Sequence, residues 1–173
     1  MAIVMSVAAV DTFFHFALLG SVGSIDSGQP SKPLRRLPVT FGDVLDVADN
    51  AVRARRMNRD CRPRVQAKNI LHTRLLQDTY QSSEKVGDAL AAAGVAKGWS
   101  KVAGHLQQQT EVVKGKLDHI VYRRNQIVHE GDLRRLVRPR LLTFNTIAPN
   151  EARDTVDFVE TLLDAFDKVV SYL

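Results

Sequence analysis

The sequence predicts an all-α fold, one helical bundle of about five to six helices occupying residues 1–173 as a single domain. Three observations carry that expectation. Helix-forming residues dominate and aromatic residues make up only 6% of the chain, a balance that favours helices over sheets. No segment sustains the apolar/polar alternation of a half-buried strand. A chain of 173 residues that is 45% hydrophobic can fill one core without a second domain. Internal repeats and low-complexity tracts are absent from it.

The first helix is expected over about residues 2–20, AIVMSVAAVDTFFHFALLG. It looks superficially like a signal peptide, but it lacks a basic leading region. Asp11 and His15 interrupt it, leaving too few continuous apolar residues for a membrane span. We read it as a buried helix. Residues 21–38, rich in Gly, Ser and Pro, read as a mobile loop, and neither side of it is large enough to fold alone. Thr40 is the expected N-cap of the second helix, with Asp43 in its first turn and Val44, Leu45, Val47, Ala48, Ala51 and Val52 turned inward. A third helix over about Val65 to Gln77 buries Ile70, Leu71, Leu75 and Leu76. Ser82 or Ser83 caps a short helix that Gly94 stops. Trp99 opens a brief helical piece as a core anchor. A long helix runs from Thr110 to near Glu130, with Gly131 beyond it. Asn150 caps the last, whose apolar stripe is Val156, Val159, Leu162, Leu163, Phe166, Val169, Val170 and Leu173.

The formal net charge of +5 gives a weak preference for polyanions. Its distribution says more. Arg53, Arg55, Arg56, Arg59, Arg62 and Arg64 crowd into twelve residues, and Arg134, Arg135, Arg138 and Arg140 form a second cluster. Both clusters are placed to touch phosphate, and arginine's planar fork binds phosphate oxygens bidentately. The bland reading is solvated helix ends and loops. The lone Cys61 cannot form an intrachain disulfide, and no Cys/His cluster has zinc-ligand spacing. A cytoplasmic location with no metal, cofactor or membrane partner is the expectation.

Within the long helix lies YRRNQIVHEGD, Tyr122 to Asp132. At about 100° per residue, Leu117, Ile120, Ile127 and Val128 fall within roughly 60° of Val113, and so does Arg124. Asp118, Tyr122, Asn125 and His129 gather on the opposite side as a polar seam, Asn125 and His129 in the i, i+4 relation. A guanidinium inside an apolar stripe needs a carboxylate, a water-filled cleft or a bound anion. The bland reading is an internal salt bridge, with Asp11 a candidate partner. For His129 it is a solvated side chain, as we read His15, His72, His105 and His119. The functional reading brings Arg124 and His129 to one site. They lie about 140° apart on an ideal helix, but arginine is long, the helix end frays, and a symmetric partner helix brings two such pairs into one cleft. Arginine holds charge developing on phosphate oxygens while an imidazole moves a proton.

The stretch RNQIVH, Arg124 to His129, resembles the RxxxxH signature of the HEPN superfamily, small helical bundles that include many metal-independent endoribonucleases of prokaryotic toxin–antitoxin and defence systems. Its surroundings, AAVDTFFHFALL near the start and TYQSSEKVGDALAAAGVAKGWSKVAGHL before the motif helix, are similar to the RiboL-PSP-HEPN branch over about residues 7–172, with Tyr80 where phenylalanine is expected. The resemblance implies Arg124 and His129 as catalytic pair and Asn125 as a polar helper. It implies a homodimer through the motif helix, open to control by an antitoxin or a larger defence complex. The implied reaction attacks the RNA phosphodiester with its own 2′-hydroxyl, leaving a 2′,3′-cyclic phosphate and a 5′-hydroxyl, so that DNA resists. Arg55, Arg56, Arg59, Arg134 and Arg135 are the expected RNA contacts. Two other readings stand beside this one: a catalytically inactive HEPN module for RNA binding or dimerisation, and a helical scaffold whose arginines are surface charge.

Overall fold

A computed structural model describes residues 1–23, 32, 34–36, 38–57, 59, 62–129, 131–132, 144–146 and 148–171. Among them the chain is helical: α1 (Ala2–Gly23), a 3-10 turn (Leu34–Arg36), α2 (Phe41–Arg56), α3 (Pro63–Leu75), α4 (Ser83–Ala92), α5 (Gly98–His105), α6 (Thr110–His129) and α7 (Pro149–Ser171). The all-α bundle is as expected, with seven α-helices in place of five to six. Most of the expected loop 21–38, together with Cys61, Leu173 and the whole second arginine cluster, lies outside the described residues.

α1 runs through the middle. Ile3, Val7, Val10, Phe14 and Leu18 repeat every three or four residues and are buried against α7, α6 and α3. By length and composition α1 is also apolar enough to cross a membrane, contrary to the sequence reading. Its inward stripe is nevertheless taken up by the core. Phe166 of α7 meets Phe14 edge-on at 4.8 Å and Trp99 of α5 at 5.7 Å. Trp99 is the anchor its sequence position suggested, and its Nε1 donates to the Ser83 carbonyl at 2.8 Å. Gly98 makes room beside it: a Cβ there would sit 2.8 Å from Leu90 Cβ.

Polar residues of the core helices join it at their edges. Asp11 accepts from Tyr80 N at 2.6 Å and from Gln81 Nε2 at 3.4 Å. His15 is not solvated as expected. Its ring packs 5.2 Å from that of Tyr80 and its Nδ1 is buried without a partner. Burial is the main cause that pushes the Tyr80 phenol up to about 12.

The local start and stop signals are realised. The Thr40 hydroxyl accepts from Asp43 N while the Asp43 carboxylate accepts from Thr40 N, a full capping box. Ser82 Oγ accepts from Lys85 N, and Gly94 takes φ +93 directly after α4. Asp43 also binds Arg74 Nη2 of α3 at 2.6 Å. The Arg74 hydrogen bond, helped by Thr40, lowers the Asp43 carboxyl from 3.8 to about 2. Because the folded value is the lower one, this support for the α2–α3 pair is complete above pH ~3.8 and is lost as pH falls toward ~2. Amide exchange in α2 should therefore accelerate selectively across that window in the parent chain. In Asp43→Asn it should be fast at both ends.

Four expectations change. α2 buries none of its residues: Val47 and Ala51 are half-buried toward α3, but Val44, Leu45, Ala48 and Val52 are exposed. α2 packs chiefly on α3, which covers one face only. Leu76 is exposed beyond the end of α3, which starts two residues earlier than expected, at Pro63. α7 begins at Pro149, so Asn150 lies inside it; the Ala148 carbonyl accepts from Ala152 N, and proline takes the first helical position, where no N–H is needed. Val156 is exposed, leaving Val159, Leu162, Phe166 and Val169 as the fully buried part of that stripe.

Candidate active site

α6 carries the motif. Val113, Leu117 and Ile120 are buried as its periodicity requires, and Ile127 packs against the core edge. Val128, expected in the same stripe, is 47% exposed. The arginine that α6 buries is Arg123, 7% exposed, rather than Arg124.

Arg123 is fully partnered. Its Nη1 binds Asp132 Oδ1, its Nη2 donates to Asp132 Oδ2 at 3.1 Å, and its Nε donates to Glu151 Oε1 at 3.4 Å. Asp132 holds the chain just past the end of α6, in a left-handed conformation (φ +60) that follows Gly131 at φ +60. Its N–H returns to the Gln126 carbonyl at 2.9 Å, its carbonyl accepts from Asn145 N at 2.7 Å, and its carboxylate accepts from Asn145 Nδ2 at 3.3 Å. The hydrogen bond from Arg123, aided by Asn145, lowers the Asp132 carboxyl, and the same carboxylate raises the Arg123 guanidinium further. This clip ties the end of α6 to the start of α7. The internal salt bridge foreseen for Arg124 with Asp11 thus exists one residue earlier, with different carboxylates.

Arg124 is half-buried and its chemistry is different. Its Nη1 donates to Asn125 Oδ1 at 2.9 Å, and its Nε is buried with no partner. No carboxylate among the described residues pairs with it, Asp11 being committed to α3–α4 backbone and side chains around Tyr80. Leaving such a donor buried and unbonded costs about 1–3 kcal/mol. Asn125 is half-buried beside it, its carbonyl oxygen taken by the arginine.

His129 is the last residue of α6 and is exposed, bonded to no described side chain. Arg124 and His129 share the final turn and a half of α6, but five residues separate them by about 7.5 Å along the axis and about 140° around it. Within one chain they do not meet. Of the polar seam, Asp118 serves a structural end: it accepts from Ser83 N at 2.8 Å and Ser83 Oγ at 2.6 Å, helping to hold the start of α4. Tyr122 is exposed and accepts from Gln126 Nε2 at 3.3 Å.

A groove of about 690 Å³ lies between α6 and α7, on the face of α6 that carries Lys116 and His119. Neither Arg124 nor His129 lines it, and Glu111, Glu151 and Asp154 around it oppose phosphate. Of the expected RNA contacts, Arg55, Arg56 and Arg59 are exposed at and just beyond the end of α2, an element that packs on α3 rather than on α6. Arg134 and Arg135 lie outside the described residues. Sequence reasoning missed Arg123, Asp132, Asn145 and Glu151 as the group that fixes the motif end; the one local sign was Gly131-Asp132 directly after the helix. Comparisons with protein-family models, with curated proteins and with solved structures find no match to this chain.

Proposed function

We propose that this chain is a metal-independent RNA endonuclease of a toxin–antitoxin or phage-defence system, working in the cytoplasm. The observation that carries the reading is Arg124: a half-buried guanidinium with no carboxylate among the described residues, an unbonded buried Nε, and Asn125 fixing one of its nitrogens. That is the electrostatic state an anion site requires, on the same helix end as an exposed imidazole. Arg123, tied to Asp132 and Glu151, keeps that end in place.

In this reading His129 takes the proton from the RNA 2′-hydroxyl, the 2′-oxygen forms a bond to the adjacent phosphorus, and the bond from phosphorus to the 5′-oxygen breaks. The leaving oxygen receives a proton from a second imidazole, and Arg124 holds the charge on the non-bridging oxygens. The second imidazole comes from a twin copy docked through α6, which also closes the 140° gap within each chain. Arg55, Arg56 and Arg59 supply a further phosphate-contacting patch; replacing all three by alanine should weaken RNA binding and lower the salt slope by about 3, read by titration across salt concentrations.

The second reading is an inactive HEPN adaptor, favoured by the separation of Arg124 from His129 and the absence of both from the α6–α7 groove. Overexpression separates the two. The enzyme arrests growth as the parent and not as His129→Ala; an adaptor is harmless in both forms.

A further inference from the structure

Another cavity, of about 510 Å³, opens between the C-terminal part of α1, the end of α3 and α4. Its floor is apolar: Leu18 of α1 and Leu75 of α3 are fully buried there. α4 faces it with Ala89, Ala91 and Ala92, whose one-carbon side chains leave the space unfilled. Tyr80, 4% exposed, lines the same space, and its hydroxyl has no hydrogen-bond partner among the described residues, the residue's one bond being made by its backbone N–H. A phenol so deeply buried is normally bonded. Neither Arg124 nor His129 lines this cavity, so it is separate from the α6 motif.

The charges at its rim say what it would hold. Arg36 stands in the 3-10 turn, Asp78 after α3, and Lys85 and Asp88 on α4. All four are exposed and none is ion-paired among the described residues, although Lys85 and Asp88 are neighbours at i, i+3. Burial first, and then the charge of Asp78, raises the Tyr80 phenol, which places a carboxylate on the hydroxyl's side of the cavity. A phosphate or a fatty acid is drawn by Arg36 and Lys85 but repelled by the two aspartates, and a polyamine meets the reverse. A ligand carrying both charges satisfies all four.

We propose that this cavity binds a small zwitterion with an apolar side chain, an α-amino acid or a dipeptide. Its ammonium donates to the Tyr80 hydroxyl and faces Asp78 and Asp88, while its carboxylate faces Arg36 and Lys85. The ligand's side chain lies on Leu18, Leu75 and the α4 alanines, an apolar floor under a few convergent polar groups.

Titration calorimetry of the full chain with L-phenylalanine and with L-leucyl-L-leucine tests this. At least one should bind at one equivalent per chain, with a Kd of about 1 mM or tighter. The N-acetyl and C-amide forms of whichever binds keep one charge each and should bind at least ~10-fold more weakly. Tyr80→Phe, which removes one oxygen from a packed ring, should weaken binding about 5-fold with unchanged helicity. Ala91→Met, at a half-buried position, should fill the cavity and abolish binding. In Asp78→Asn/Asp88→Asn the N-acetyl form should bind as well as the free ligand. No binding of either probe, capped forms that bind the parent as tightly as free ones, or affinity indifferent to the Tyr80, Ala91 and aspartate changes would each overturn the proposal.

Discussion

Arg124→Ala and His129→Ala should each slow RNA cleavage by about 10²–10⁴-fold, the range for losing a positioned charge donor or a general acid–base group. The two losses should have different characters. Removing the guanidinium takes away charge stabilisation that an added side-chain cation only partly replaces, so Arg124→Lys should recover some activity but not all, lacking the planar fork. Removing the imidazole takes away a proton carrier, so lysine at 129 should recover nothing. Neither change should unfold the chain: His129 is exposed at a helix end, and Arg124 has one hydrogen bond, to its neighbour Asn125. Single-turnover cleavage of end-labelled RNA, with helicity monitored alongside, reads both. Equal rates for His129→Ala and parent would remove the histidine from the chemistry.

Arg123→Met should instead destabilise the whole bundle, by about 3 kcal/mol. That is the low end for breaking a buried ion pair, because the Glu151 side chain is 37% exposed and can turn to water. The methionine fills the space of the stem but leaves Asp132 without its bidentate partner, and with it the Asn145 and Gln126 contacts that close the end of α6. Removing both charges in Arg123→Met/Asp132→Asn should recover part of the loss, since asparagine tolerates the left-handed backbone at 132 and the remaining carboxylate, Glu151, can turn to water. The pH dependence follows from the sign of the shifts. The folded Asp132 carboxyl lies below its ordinary 3.8, so its contribution is complete above that value and disappears as pH falls through the folded one. The Asp132 hydrogen bond raises the Arg123 guanidinium further above its already high ordinary value, so the arginine stays charged throughout this range. Urea denaturation at neutral pH and at pH ~3 should therefore show a parent–variant difference that narrows in acid. A difference that stayed constant would contradict the assignment of the clip as an ion pair.

The legible parts of this fold are those whose partners lie close in sequence. Thr40 and Asp43 are three residues apart, Ser82 and Lys85 likewise, and Gly94 needs only its own backbone angle. The buried stripes of α1 and α6 follow from period alone. What period could not decide is which of two adjacent arginines enters the core. Arg124 lies nearer the centre of the stripe on a helical wheel, yet Arg123 is buried, because its carboxylates come from Asp132, nine residues on, and Glu151, twenty-eight residues on. α2 shows the same limit in another form. Its amphipathic pattern was plain, but whether a given apolar face meets the core or solvent depends on where α3 sits. Asn150 was a reasonable cap by residue type; Pro149 started the helix first.

For the site, the sequence supplied the two residues and the resemblance supplied their roles. In the structure Arg124 is half-buried with no carboxylate partner among the described residues, and His129 lies on the far side of the same helix end. The reading therefore stands on the two groups acting on one phosphorus atom. Incubation of purified protein with labelled RNA and the matching DNA, in excess chelator, tests that most directly. The account predicts RNA cut to ends bearing a 2′,3′-cyclic phosphate, DNA left whole, and no cutting by His129→Ala. RNA left intact, or cutting that stops when chelator is added, would contradict it.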